Sequence, residues 1–275
     1  MDHELNSMEI AEEIGGMGAG YAHLLDATLI SCLPEKSCPI KNRIQYLIQA
    51  NSISHQTILI SNTETDWTLL VSSGRHGDKL PIGLRGCHDR LKTTSAIPPG
   101  PYADVVVVAS LRNELMLKLL KQHSGAIRML SPALRNCYPD SNTITLDEMA
   151  EYAEILAVNR FEWLAMGESA RTAWESSGAI ISVTDGPGGA TVSWRGPGGK
   201  RECHYEPAFP RSIAPVDTNR AGEAFSGTLL SELTKMGWPG RGHSPSREMI
   251  EKATKIASVA AGLTIQISGF GFPGH

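Results

Sequence analysis

Pro215 to Gly227 reads Pro-Val-Asp-Thr-Asn-Arg-Ala-Gly-Glu-Ala-Phe-Ser-Gly, and its residue types suit acid–base chemistry on an anion. Ala224, Phe225, Leu229, Leu230 and Leu233 recur at helical spacing, so the stretch is expected to be a tight loop turning into a core-facing helix. The first N–H groups of a helix have no internal partner, and the helix dipole is positive at that end. Gly222, which has no Cβ, lets a ligand approach the backbone there. The loop therefore reads as a cradle for developing negative charge, with the N–H groups of Arg220, Ala221 and Gly222 as its anion hole. Glu223 stands at its mouth as a candidate base. An anion cradle beside a carboxylate base suits phosphoryl transfer to a hydroxyl.

Three other stretches carry residues of interest. Ile14 to Gly20 holds four glycines, at 15, 16, 18 and 20, before an apolar segment. It reads as a backbone that bends sharply or lies against a ligand, or as an ordinary turn before a helix. Asn159 and Glu162 follow the apolar run Ile155 to Val158. They read either as groups that position a magnesium ion through its waters or as a helix cap. Thr184 to Ala190 follows a further apolar run and reads as a glycine-rich turn, with or without a ligand.

The elements that must position these residues alternate between strand and helix. Ala27–Leu33 has strand length, and Ile40–Ala50 is helical with Ile44, Leu47 and Ile48 on one face. Thr57–Ile60 and Thr68–Val71 are rich in β-formers and separated by the polar 62–66, which predicts a hairpin. Residues 72–78 are expected to be a loop, with His76 solvated. Asp104–Ala109 contains four consecutive valines, the signature of a strand buried on both faces of a parallel sheet. Helix 113–123, strand 127–130, a capping box at Thr145 to Glu148 and strands 155–158 and 179–184 follow. A hairpin with arms 191–194 and 202–205 precedes the phosphoryl-transfer loop. A Gly/Pro-rich loop, 237–245, and a long helix, 247–267, complete the chain. Strands alternating with helices predict an α/β fold with a mostly parallel sheet, which binds ligands at the carboxyl ends of its strands.

Composition narrows the function. The 275 residues suffice for one large core, or a core with a small lid. Net charge is −4 and aromatics make up 6%, so neither a basic field nor a base-stacking platform for nucleic acid is evident. The five cysteines form no C-x-x-C pair, which favours reduced thiols in a cytoplasmic protein over a zinc or redox motif. No apolar run reaches the length of a membrane span. The acidic 1–13 segment lacks a signal-peptide core. No Walker A loop, zincin helix or G-x-S-x-G elbow competes.

Asp217-Thr218-Asn219-Arg220-Ala221-Gly222-Glu223 resembles the Asp-Thr-x-Gly-Ala-Gly-Asp signature of ribokinase-like (PfkB) carbohydrate kinases. Arg220 replaces the first signature glycine, and Glu223 replaces the aspartate that serves as catalytic base. Gly15-Gly16-Met17-Gly18-Ala19-Gly20 resembles the family's sugar-contacting Gly-Gly-Lys-Gly-Ala-Asn, with Gly15 and Gly16 retained and Gly20 lacking a polar contact. Asn159 and Glu162 match an Asn-x-x-Glu motif that positions magnesium and phosphate. Thr184, Gly186, Gly189 and Ala190 match a Thr-x-Gly-x-x-Gly-Ala segment near the nucleotide phosphates. Ser131 stands where an aspartate often precedes Pro132. Ser258 replaces an asparagine bordering the adenine pocket, and Gly269 to Pro273 resembles the family's ending.

The four motifs occur in family order from Gly15 to Pro273. The resemblance implies one ribokinase-like domain over 1–275, with helices on both sheet faces and lid strands within 55–90. The family's first strand, which ends near a substrate-binding aspartate, is expected to be missing, since fourteen residues precede Gly15. The implied activity is transfer of the ATP γ-phosphoryl group to a sugar or nucleoside hydroxyl with Mg2+, and K+ near Asp217 is a further candidate. Lid sheets of two subunits are expected to pair. Glutamate in place of aspartate shifts the carboxylate by roughly 1 Å, a displacement that can cost on the order of 100-fold in rate. The alternative is therefore a degenerate, non-catalytic relative that binds nucleotide or sugar, or serves as an interaction protein.

Overall fold

A computed structural model describes residues 13–72, 79–93, 103–210, 215–240 and 242–272. The expectations for 1–12, for the loop containing His76 and for Pro273 lie outside these residues. The elements run α1 (Met17–Leu24), β1 (Leu29–Pro34), α2 (Pro39–Ala50), β2 (His55–Ile60), β3 (Trp67–Ser72), β4 (Lys79–Leu84), α3 (Cys87–Arg90) and β5 (Val105–Ala109). They continue α4 (Asn113–Gln122), β6 (Ile127–Ser131), α5 (Leu134–Cys137), β7 (Ile155–Asn159), α6 (Arg160–Ala165), α7 (Gly167–Ser176), β8 (Ile180–Thr184), β9 (Ala190–Arg195), β10 (Arg201–Glu206), α8 (Ala221–Lys235) and α9 (Arg247–Thr264).

The main sheet has the order β10-β9-β8-β7-β6-β5. β5 to β8 run parallel, and the β9–β10 hairpin adds two antiparallel strands at one edge. Met129, Ile155, Ile180 and Val192 face a core completed by α8 and α9 with Tyr21 of α1. Leu130, Leu156 and Ile181 face a second core that includes Met116 and Leu120 of α4 and Trp174 of α7. Side chains alternate between the faces with period two, so both faces are apolar and each is covered by helices. A buried ion pair fastens β6 to the start of β7. Arg128 Nη2 and Nε donate to the two Glu154 carboxylate oxygens at 2.7 and 3.1 Å, and its backbone N–H donates at 2.6 Å.

The chain departs from expectation before β5. The expected hairpin between Thr57–Ile60 and Thr68–Val71 does not form. β2 instead pairs parallel with β1, from Leu29 opposite His55 to Pro34 opposite Ile60. Helix α2 between them turns Ile48 inward onto Ile14, Ala19 and Ala22, which makes β1-α2-β2 a crossover unit. β3 pairs antiparallel with β4, a separate two-stranded sheet in the expected lid region. The four valines of β5 are also less enclosed than expected. β5 is the sheet's edge, and three of the four are only partly buried.

Helix α9 ends at Thr264, short of the expected Ile267. The carbonyl of Ile265, freed at that end, accepts from the N–H groups of Val216 and Asp217 at 2.8 and 3.3 Å. An orphan carbonyl is thereby satisfied, and the loop entering α8 is pinned.

Candidate functional site

The loop before α8 is shaped by short-range bonds. Asp217 Oδ1 accepts from the Asn219 N–H at 2.8 Å, an Asx turn. Arg220 follows with φ 65° and ψ 0°, the left-handed conformation that glycine adopts most readily. The first i→i−4 bond of α8 runs from Ala224 N–H to the Arg220 carbonyl at 2.8 Å. The N–H groups of Ala221, Gly222 and Glu223 thus lie in the turn that has no intrahelical acceptor. A Cβ added at Gly222 would meet nothing within 4 Å, so there is room beside that backbone. The sequence analysis expects an anion cradle at this turn.

Arg220 does not extend into that space. Its Nη1 lies 3.3 Å from Glu13 Oε2, its Nη2 lies 3.3 Å from Asp217 Oδ2, and its guanidinium carbon is 5.8 Å from the Phe270 ring centre. Only 10% of the side chain is exposed. Its charge is directed to carboxylates.

Glu223 lines a cleft of about 2310 Å³ together with Asp217, Arg220, Gly15 and Gly16. The double glycine and the loop before α8 therefore line the same cleft. Gly16, with φ 92°, starts α1 in a conformation that side chains rarely adopt. The Gly20 Cα faces Glu223, whose Cβ and Cγ lie 3.7 and 3.6 Å from where a Cβ would stand.

Beneath the loop lies Tyr21, which the sequence analysis did not single out. Ser226 Oγ donates its hydrogen to the Gly222 carbonyl at 2.7 Å. Tyr21 must then donate to Ser226, at 2.7 Å, and accept from Ser131, at 2.9 Å. Burial, followed by the nearby Glu223 charge, raises the Tyr21 pKa far above that of a free phenol, so it stays a donor. Gly227 permits the helix contact that places it. A Cβ there would meet Leu24 Cδ2 at 2.5 Å and Tyr21 Cδ1 at 3.4 Å. Ser131, where the family pattern often has aspartate, uses its hydroxyl in this network.

Asn159 and Glu162 form the cap that the sequence left as one of two readings. Asn159 Oδ1 accepts from the Glu162 N–H at 2.9 Å, and Glu162 Oε2 accepts from the Asn159 N–H at 2.8 Å. The cap does not make the carboxylate comfortable. Burial first, and the Glu223 charge second, raise Glu162 from 4.5 to about 7 against the Asn159 bonds. Two carboxylates thus repel one another across the site, an arrangement a hard cation would relieve. Among the described residues no group of three His, Cys, Asp or Glu side chains could hold a metal. Waters and phosphate oxygens are the donor set that suits a magnesium ion.

Thr184 pairs with Asn159 at the carboxyl ends of β8 and β7. Gly186 opens a 3₁₀ turn, Gly186–Gly188, and Gly189 has φ 81° where a Cβ would collide with the Glu206 carbonyl. Gly189, Arg160 and Asp185 line a smaller cavity of about 220 Å³, separate from the cleft. Ser258 on α9 donates to the Pro207 carbonyl at 2.9 Å, so its hydroxyl ties α9 to the chain following β10. Ser258 does not line the cleft that holds Glu223. Glu13, Tyr21 and Phe270 had no signal in the sequence, because each acts through a partner remote in the chain.

The fold is ribokinase-like, with Glu223 in the first turn of a helix. The pattern of the pfkB family carbohydrate kinases matches residues 11–273, and the chain belongs to that family. A search of curated protein sequences finds no match. Among solved structures, ribokinase from Giardia lamblia is similar at TM-score 0.74 and 17% identity, over 98% of this chain and 88% of that one. A nucleoside kinase from Methanocaldococcus jannaschii is similar at TM-score 0.71 and 17% identity, over 98% and 86%. Ribokinase from Cryptococcus neoformans in complex with ADP is similar at TM-score 0.68 and 16% identity, over 98% and 89%. No helix among the described residues is long and apolar enough to cross a membrane.

Proposed function

We propose that this chain transfers the γ-phosphoryl group of ATP to a hydroxyl of a sugar or nucleoside. The observation that carries the reading is the placement of Glu223. It lies in the first turn of α8, in the wall of the cleft, next to backbone N–H groups that no helix carbonyl uses. Glu223 takes the proton of the substrate hydroxyl as that oxygen forms its bond to the γ-phosphorus. The bond from the γ-phosphorus to the bridging oxygen breaks, and ADP leaves with the electron pair. The N–H groups of Arg220, Ala221 and Gly222 stabilise the charge on the phosphoryl oxygens.

Gly15 and Gly16 border the acceptor. Thr184, Gly186 and Gly189 border the nucleotide phosphates, with Ser258 toward the base. Asn159 and Glu162 would hold Mg2+ through its waters. When bound, the ion neutralises phosphate charge.

Pairing of two copies through β3 and β4 belongs to this reading. Leu69 and Ile82 face each other across that sheet and are exposed, as is Trp67.

The test is ADP release with Mg-ATP over a panel of sugars and nucleosides, with Glu223→Gln as control. Turnover is expected with at least one acceptor, and the variant should lose about 100-fold or more in kcat while still binding ADP. An equally active Glu223→Gln would remove Glu223 as the base. The second reading, binding without turnover, rests on Arg220 and Glu223, which both depart from the family pattern where the chemistry occurs. Tight nucleotide binding with no acceptor turned over would establish it.

A further inference from the structure

A cation is built into the anion loop as part of the chain. Arg220 holds left-handed backbone, where a side chain is strained and glycine is not. The side chain is nearly enclosed and its Nε is buried without a hydrogen-bond partner, so it is not placed for solubility. Its two terminal nitrogens reach Glu13 on one side and Asp217 on the other, each at 3.3 Å, over the Phe270 ring. The other Asp217 oxygen holds the Asn219 N–H. Backbone N–H groups of Val216 and Asp217 are bound to Ile265 at the end of α9. The guanidinium thus joins the segment before α1, the loop before α8 and the segment after α9.

The family resemblance offers K+ beside Asp217, and the residues present do not fit it. A monovalent ion there needs oxygen ligands converging on one point. Here one Asp217 oxygen faces a guanidinium, which is always charged and cannot share its position with a second cation. The neighbouring surface is the Phe270 ring.

We propose that Arg220 is a tethered cation that takes the place of a dissociable monovalent ion at this loop. It acts as a positioning residue. Its charge balances Asp217 and Glu13 and keeps the cradle N–H groups oriented without any ion from solution. Nucleotide binding by the wild-type chain should then be indifferent to the monovalent cation present. Arg220→Gly removes the charge, relieves the backbone and leaves space beside Asp217 for an ion to enter.

This rests on the reading of the loop as a phosphate site, and the experiment separates the two. Calorimetric titration with Mg-ADP and thermal unfolding are carried out in potassium chloride and in N-methylglucamine chloride at equal ionic strength. Wild type should bind equally within about twofold in both salts. Arg220→Gly should bind about tenfold more weakly without potassium and recover when it is added. Arg220→Gln, an uncharged side chain of related shape, should be weak without potassium if the glycine variant does not fold. A potassium-dependent wild type, or variants weakened equally in both salts with no recovery, would overturn the proposal. If ADP does not bind wild type at all, the nucleotide reading fails on its own. The rise in Tm of Arg220→Gly on adding potassium, which needs no nucleotide, then still decides the role of Arg220.

Discussion

Glu162→Gln should make this protein more stable at alkaline pH. The wild-type carboxylate is half-buried and faces Glu223, and the fold raises it from 4.5 to about 7. In the unfolded chain it loses its proton near the ordinary value. Between these two values the folded state holds more protons, so stability falls as pH rises from about 4.5 to about 7. One pKa unit corresponds to about 1.4 kcal/mol, which puts the ceiling near 3.5 kcal/mol. Screening by solvent at a partly exposed group reduces the expectation to about 1–2 kcal/mol. Glutamine keeps the reciprocal cap, because its carbonyl oxygen can accept from the Asn159 N–H as the carboxylate does. Urea unfolding followed by tryptophan fluorescence near pH 5 and pH 8 measures the difference. The variant should be close to wild type at the lower pH and more stable by about 1–2 kcal/mol at the higher. Parallel pH dependences, or a variant less stable at both, would refute the claim that Glu162 is held charged at a cost.

Tyr21→Phe removes the donor to Ser226 and the acceptor for Ser131, and should cost about 1–2 kcal/mol in the same unfolding assay. An unchanged midpoint would mean the buried hydroxyl network contributes nothing. Glu154→Gln leaves the Arg128 charge buried without its counterion, so a loss of about 3 kcal/mol is expected. A loss under about 1 kcal/mol would show that water reaches this pair.

Much of the fold was legible because its signals are local. The Asn159–Glu162 cap, the buried runs of β6 to β8 and the helical spacing after Gly222 each depend on residues a few positions apart. The placement of Glu223 at the start of α8 follows from that spacing, and the family signature could be read there for the same reason. Strand pairing is different. β2 carried the β-rich pattern of a hairpin arm, and period-two patterning does not name a partner. The amphipathic face of α2 and the parallel register with β1 decided it. The role of Arg220 was equally hidden. The sequence marked only the replacement of a signature glycine, and packing turned the side chain toward Glu13 and Asp217. The elevated Glu162 pKa and the Tyr21 network likewise arise where α1, β6, β7 and α8 converge. Residue type and spacing set which groups are available and which short-range bonds they make. Desolvation and pairing with distant charges depend on three-dimensional enclosure, which arises when those elements pack.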